Sequence, residues 1–123
     1  MRLAGAMAAA VLLAMGCAGA LEYPIDRDVA WSQAHGADVG MEQLQAGRSS
    51  YVSKCAGCHH LHRPEEYAPP EWPELVAKMS ARARLTADER RLIASYLSAT
   101  SARLREPAAV TVRDVGAGAD GAD

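Results

Sequence analysis

Cysteine, aromatic residues and long apolar runs are all scarce in this chain of 123 residues. It contains only three Cys and no Phe, so a scaffold cross-linked by several disulfides is excluded. The N-terminal apolar stretch, Leu3–Met15, is too short to cross a bilayer as a mature helix. The formal net charge of −2 argues against nucleic acid as a partner.

Strand patterns and repeats are also missing. No alternation of polar and apolar residues is long enough to predict a β-strand, and no segment repeats along the chain. A nucleophile motif and an acid–base pair typical of an enzyme cleft are absent as well. The apolar residues recur instead at helical spacing, so the sequence predicts an all-α fold of three or so helices.

The N-terminal residues 1–20 have the features of an export signal. Arg2 supplies a short positive region before the apolar stretch, and Ala18-Gly19-Ala20 fits the A-x-A rule for cleavage. Cys17 offers a competing interpretation, because Leu13-Ala14-Met15-Gly16-Cys17 resembles the lipobox of bacterial lipoproteins. We therefore predict a periplasmic or otherwise exported protein. Two processing routes stay open: ordinary cleavage, or attachment to a membrane through lipidated Cys17.

The most informative motif is Cys55-Ala56-Gly57-Cys58-His59, which has the Cys-x-x-Cys-His spacing of c-type haem attachment. The two thiols can each bond one vinyl group of a porphyrin, and the adjacent imidazole can ligate the iron. The alternative is a zinc site completed by two of His59, His60 and His62. We predict one haem c, with Cys55 and Cys58 as covalent attachment points and His59 as the proximal iron ligand.

Three helical segments surround this motif. The first covers about Gly40 to Lys54, with Leu44, Gly47 and Tyr51 on the face that leads to Cys55. Glycine inside a helix costs about 1 kcal/mol relative to alanine. We therefore expect this glycine to mark the close approach of another helix.

The other two helices follow the motif. Pro69-Pro70 forces an extended turn, after which Trp72, Leu75, Val76 and Met79 recur at helical spacing, with Pro73 in the first turn. The last helix begins at a capping box, Thr86-Ala87-Asp88-Glu89. Its apolar stripe consists of Leu92, Ile93, Tyr96 and Leu97.

The predicted organisation has four parts: the export signal at 1–20, an N-terminal extension or linker at 21–40, a helical domain at 41–105 and a disordered tail at 106–123. The tail ends in Gly, Ala and Asp residues that have nothing to bury. Basic residues are concentrated in 78–105. They either steer an acidic electron-transfer partner or form an ordinary solvated helix face.

Over residues 41–100 the chain resembles the class I cytochrome c family, in its small bacterial monohaem form. The segment 47–55 is similar to the family's N-terminal helix running into the haem motif, and 85–97 is similar to its C-terminal helix. The resemblance implies a cytochrome c fold in which these two helices cross nearly at right angles. The middle segment departs from the mitochondrial type, being short and carrying its methionine on a helical pattern.

By that resemblance, Gly47 and Tyr51 of the first helix would meet Tyr96 and Leu97 of the last. Pro64 is similar to the family proline whose neighbourhood supplies a backbone acceptor for the proximal histidine; a plain loop proline is the alternative.

Several polar side chains keep two interpretations. Trp72 and Tyr67 either donate to haem propionates or simply pack. His60 and His62 lie too close to His59 along the chain to reach the opposite haem face, so we expect them on the surface or near the propionates.

The resemblance also implies a methionine as the distal iron ligand. Once the leader is removed, Met41 and Met79 are the candidates, and Met41 lies about 20 Å from Cys55 along the same predicted helix. Met79 follows the Pro-Pro turn on the face that carries Trp72. We predict Met79 as the distal ligand; the alternative is that it fills the core and that His35 takes its place.

These predictions together describe an electron carrier rather than an enzyme. A haem with His and Met ligands has both axial positions filled, so it exchanges an electron without binding substrate. The expected partners are a redox protein donor and acceptor, including a membrane or periplasmic oxidoreductase complex. Two alternatives stay open: a haem enzyme or gas sensor with an open distal site, and a bound subunit of a larger oxidoreductase.

Overall fold

The computed structural model describes residues 20–57 and 60–107, which form four α-helices joined by irregular segments. In chain order these are α1 (Asp26–Ala34), α2 (Met41–Cys55), α3 (Trp72–Ser80) and α4 (Ala87–Arg105), with short 3-10 turns at Pro64–Glu66 and Pro69–Glu71. No β-strand occurs in this part of the chain, so the all-α prediction is confirmed. The predicted export signal with Cys17, and the tail from residue 108, lie outside the described residues.

Helix α4 is the element against which all the others pack. It begins at the predicted capping box: the Glu89 N–H donates to Thr86 Oγ1 at 3.1 Å, and the Thr86 N–H donates to Glu89 Oε2 at 2.9 Å. Its predicted apolar stripe is buried, and burial continues through 98–101. No helix among the described residues is both long enough and apolar enough to cross a membrane.

Helices α2 and α4 lie very close together at Gly47. A Cβ atom built there would lie 2.2 Å from the carbonyl oxygen of Leu92 and 3.1 Å from Cβ of Tyr96. One turn further along α2, Tyr51 belongs to the same buried cluster as Tyr96 and Leu97. The close approach predicted from a glycine inside a helix is therefore confirmed.

Helix α1 was not predicted from the sequence, and it lies within the predicted extension or linker, 21–40. Its buried residues are Asp28 and Ser32, so it lacks the apolar periodicity that would reveal a packed helix. The Asp28 carboxylate accepts hydrogen bonds from Arg103 Nε at 2.8 Å and from the Ile25 N–H at 2.9 Å. Helix α1 therefore packs against α4.

The residues before α1 are held by side chains of α2 and α4. The Arg48 guanidinium donates to the carbonyl of Leu21 at 2.9 Å and stacks over the ring of Tyr23 at 3.7 Å. The Tyr96 hydroxyl donates to the carbonyl of Glu22 at 2.6 Å. Leu21 itself enters the main apolar cluster. Segment 21–25 is therefore fastened to the core.

The α2–α4 contact predicts that Gly47→Ala destabilises the fold even though alanine is the better helix former. Overpacking against the Leu92 backbone should lower the free energy of unfolding by about 3 kcal/mol. The better helix propensity of alanine should return about 1 kcal/mol of this loss. Urea unfolding measures the difference. Ala46→Gly, at the exposed neighbouring position, isolates the propensity effect. A Gly47→Ala protein as stable as the parent would contradict the contact.

The buried carboxylate of α1 gives a second prediction. Asp28→Asn removes the charge opposite Arg103, whose pKa is raised above its ordinary value chiefly by this hydrogen bond. Breaking a buried ion pair should lower the free energy of unfolding by about 3 kcal/mol. Asp38→Asn, at an exposed position nearby, serves as the control and should change it little. Equal stability of the two variants would show that α1 does not depend on this pair.

Candidate functional site

A cavity of about 200 Å³ opens between the C-terminal end of α2, helix α3 and helix α4. Its lining is mostly aromatic and aliphatic, and includes Tyr51, Tyr67, Trp72, Leu75, Val76 and Leu97. Cys55, the last residue of α2, and Met79, near the end of α3, both line it. Two sulfur-bearing side chains thus reach one apolar space from two different helices.

The structure brings together the two predicted haem-binding residues that it describes. Met79 is 41% exposed, which is not the environment of a methionine that merely fills a core. It shares the cavity wall with Trp72 and Val76, as its place on the helical face predicted. Cys58 and His59 lie outside the described residues, so their roles, like that of Met79, stay predictions.

The two competing ligand candidates lie elsewhere. Met41 begins α2 and Cys55 ends it, which separates them by about 20 Å along the helix axis. His35 follows the last residue of α1; its Nδ1 is 2.7 Å from the Trp31 carbonyl oxygen and its ring stacks on that of Trp31 at 3.9 Å. Both rings line a separate groove between α1, α3 and α4. His35 is therefore not brought to the cavity.

Trp72 packs in the core and uses its indole N–H within the protein. Nε1 donates to the carbonyl oxygen of Pro64 at 2.9 Å, and this hydrogen bond is buried. This supports packing over a hydrogen bond to a haem propionate. A carbonyl oxygen has two lone pairs. The predicted bond from His59 to an acceptor near Pro64 therefore remains compatible with this one.

Aromatic rings and a hydrogen-bonded histidine form the wall next to the motif. The Tyr67 ring meets that of Trp72 edge-on, with centroids 5.1 Å apart, a geometry worth about 1 kcal/mol beyond burial. His62 Nδ1 lies 2.7 Å from Glu66 Oε2. The pKa of Glu66 is lowered, first by the Arg63 N–H and then by His62. His60 is exposed, as predicted, while His62 reaches the cavity edge.

Two cations at the cavity were not singled out by sequence reasoning. Lys54 and Arg82 both contribute to its lining, and Lys54 Nζ lies 3.8 Å from Glu89 Oε1. The position of Lys54, directly before the first motif cysteine, was the available signal for one of them. Within 20–57 and 60–107, no three His, Cys, Asp or Glu side chains form a group that could hold a metal ion.

Tyr51 connects the cavity wall to the segment that follows the motif. Its hydroxyl donates to the carbonyl oxygen of His62 at 2.9 Å. Burial is the main cause that raises the pKa of Tyr51 above its ordinary value, and burial likewise raises the pKa of Tyr96 to about 12. Both hydroxyls therefore keep their protons, and their hydrogen bonds, well into the alkaline range.

No family model, curated protein or solved structure matches this chain. Its functional interpretation depends on the residues and contacts described above.

The two buried hydroxyls predict an alkaline loss of stability. In the unfolded chain both tyrosines ionise near pH 10 or so, whereas in the folded protein they stay protonated until higher pH. The unfolded state therefore loses protons first, and the free energy of unfolding should fall as pH rises above about 10. Tyr51→Phe and Tyr96→Phe should each reduce this slope in urea titrations from pH 8 to 11 or so. A slope unchanged in both variants would contradict their burial.

Proposed function

We propose that this protein is an exported monohaem c-type cytochrome, with a class I cytochrome c fold, that carries single electrons between redox proteins. The observation that carries the proposal is the meeting of Cys55, from a Cys-x-x-Cys-His motif, and Met79 at one largely apolar cavity. The motif binds haem by its spacing, and a thioether completes the ligand set typical of cytochromes c.

The chemistry of the cavity fits haem c. Aromatic and aliphatic walls suit a macrocycle, and the cationic side chains of Lys54 and Arg82 suit its carboxylates. Cys55 and Cys58 would form the thioether bonds, His59 would ligate the iron from one side and Met79 from the other.

Held by these four residues, haem c would supply the transfer of one electron without the binding of a substrate. The chain's own residues supply the surroundings: Trp72, Leu75 and Val76 exclude water, and Tyr51 holds the backbone that follows the motif. Oxygen or carbon monoxide would bind only if the Met79 sulfur left its place.

The charges of the C-terminal third narrow the choice of partner. Four of the seven basic residues in 78–105 bind groups of their own chain: Lys78 with Glu74, Arg91 with Asp88, Arg103 with Asp28 and Arg105 with the carbonyl of Glu65. Arg82 contributes to the cavity lining, as does Lys54, which also pairs with Glu89. A donor or acceptor with an acidic docking surface, free or within a periplasmic or membrane oxidoreductase complex, fits this arrangement.

The decisive test concerns the distal ligand. The protein is produced in a host that attaches haem outside the cytoplasm, and its mass should correspond to one covalently bound haem. Met79→Ala should abolish the far-red sulfur-to-iron band of the oxidised protein, lower the reduction potential, and allow rapid binding of carbon monoxide to the reduced form, because the sulfur ligand is gone.

Met41→Ala is the matched control and should leave the band and the potential unchanged. A parent protein that binds carbon monoxide at once would instead support a haem enzyme or gas sensor with an open distal site. A chain recovered without covalent haem, binding zinc through its cysteines, would overturn the proposal.

A further inference from the structure

The segment 62–71, which joins the motif to α3, consists of two short 3-10 turns and irregular backbone, yet side chains hold much of it. Besides the carbonyls bound by Tyr51 and Trp72, three more accept hydrogen bonds from α4. These bonds run from Ser101 Oγ to the Tyr67 oxygen at 2.5 Å, from Ser98 Oγ to the Pro69 oxygen at 3.1 Å, and from Arg105 Nη1 to the Glu65 oxygen at 3.0 Å.

The two serines differ from ordinary helix serines. Both are buried, Ser101 completely and Ser98 to 7% exposure. A buried hydroxyl is costly without a partner, and a helix serine commonly bonds the carbonyl one turn before it. Here each hydroxyl donates instead to a carbonyl of the segment 62–71. Because the two serines are three residues apart, they lie on the same face of α4. Their partners, Tyr67 and Pro69, lie just before the start of α3.

Helix α3 connects this anchored end to Met79. Its first residue, Trp72, is buried and hydrogen-bonded to Pro64, while Met79 at the other end is 41% exposed. An exposed methionine has little packing of its own to fix it. The position of its sulfur therefore depends on the path of α3, which the packing of Val76 and the hold on its N-terminal end both set.

We propose that Ser98 and Ser101 are positioning residues of the cavity. By holding the carbonyls of Pro69 and Tyr67, they fix the N-terminal end of α3 on α4 and thereby the place where the Met79 sulfur enters the cavity. The consequence at the iron rests on the function proposed above. The two serine–carbonyl hydrogen bonds, which we call the serine clamp, do not rest on that function, because they are formed entirely by residues of this chain.

The test compares the double variant Ser98→Ala/Ser101→Ala with the parent, both carrying haem. Each lost hydrogen bond should loosen the clamp, so the reduced variant should bind carbon monoxide about tenfold faster. Its sulfur-to-iron band should weaken and its reduction potential should fall. Two controls accompany it. Ser95→Ala makes the same change on α4 at a residue that donates to neither carbonyl. Val39→Ala lowers stability in the other buried cluster.

A second readout does not involve the haem. The Glu66 and Glu71 N–H groups donate to carbonyls within the segment, each at 3.0 Å. Their hydrogen exchange should become about tenfold faster in the double variant and remain unchanged in Ser95→Ala.

The outcomes separate the two proposals. If the parent lacks the sulfur-to-iron band, the proposed ligand set fails, and exchange at Glu66 and Glu71 alone decides the clamp. If the parent has the band and the double variant behaves as Ser95→Ala does, the positioning role is overturned. It is also overturned if Val39→Ala accelerates carbon monoxide binding as much as the double variant, since the effect would then be one of global stability.

Discussion

At Gly47 the backbones of α2 and α4 are so close that a single methyl group would overlap the carbonyl oxygen of Leu92. Because both partners in this contact are backbone, neither helix can adjust by changing a rotamer. The contact fixes the position of α2 on α4. Because Cys55 is the last residue of α2, it also helps to place Cys55 beside the cavity. The remaining elements pack around α4 in places that this pair of helices leaves available.

Polar contacts help to attach the outer segments to this pair. The residues before α1, helix α1 itself and the segment 62–71 are all held by side chains of α2 and α4 that donate to carbonyl or carboxylate oxygens. Small domains bury a limited apolar core. Such bonds give the irregular segments a defined path that burial alone would not specify.

The elements that sequence reasoning found are those with an apolar pattern or a terminal signal. The capping box at Thr86 and the proline in the first turn of α3 predicted where two helices begin. Gly47 predicted the close contact between α2 and another helix. Helix α1 was not predicted because its buried residues, Asp28 and Ser32, are polar. The partner of Asp28, Arg103, lies far away in sequence. The serine clamp was not predicted for the same reason. A polar residue can be assigned a buried hydrogen bond only when its partner, here a carbonyl far away in sequence, is known.

The cavity wall is held more firmly at Trp72 than at Met79, which lie at opposite ends of α3. Trp72 is anchored by its hydrogen bond and by the contacts of Tyr67, whereas α3 ends beside Met79 in a turn where Arg84 has a φ of +52°. The Leu85 N–H donates to the Ser80 carbonyl there, as in a helix end that normally places glycine in the left-handed position. An L-residue in that conformation costs roughly 1–2 kcal/mol. The turn after α3 therefore adds strain rather than support. The wall that carries Met79 is held by the packing of Leu75 and Val76 and by the serine hydrogen bonds at the other end of the helix.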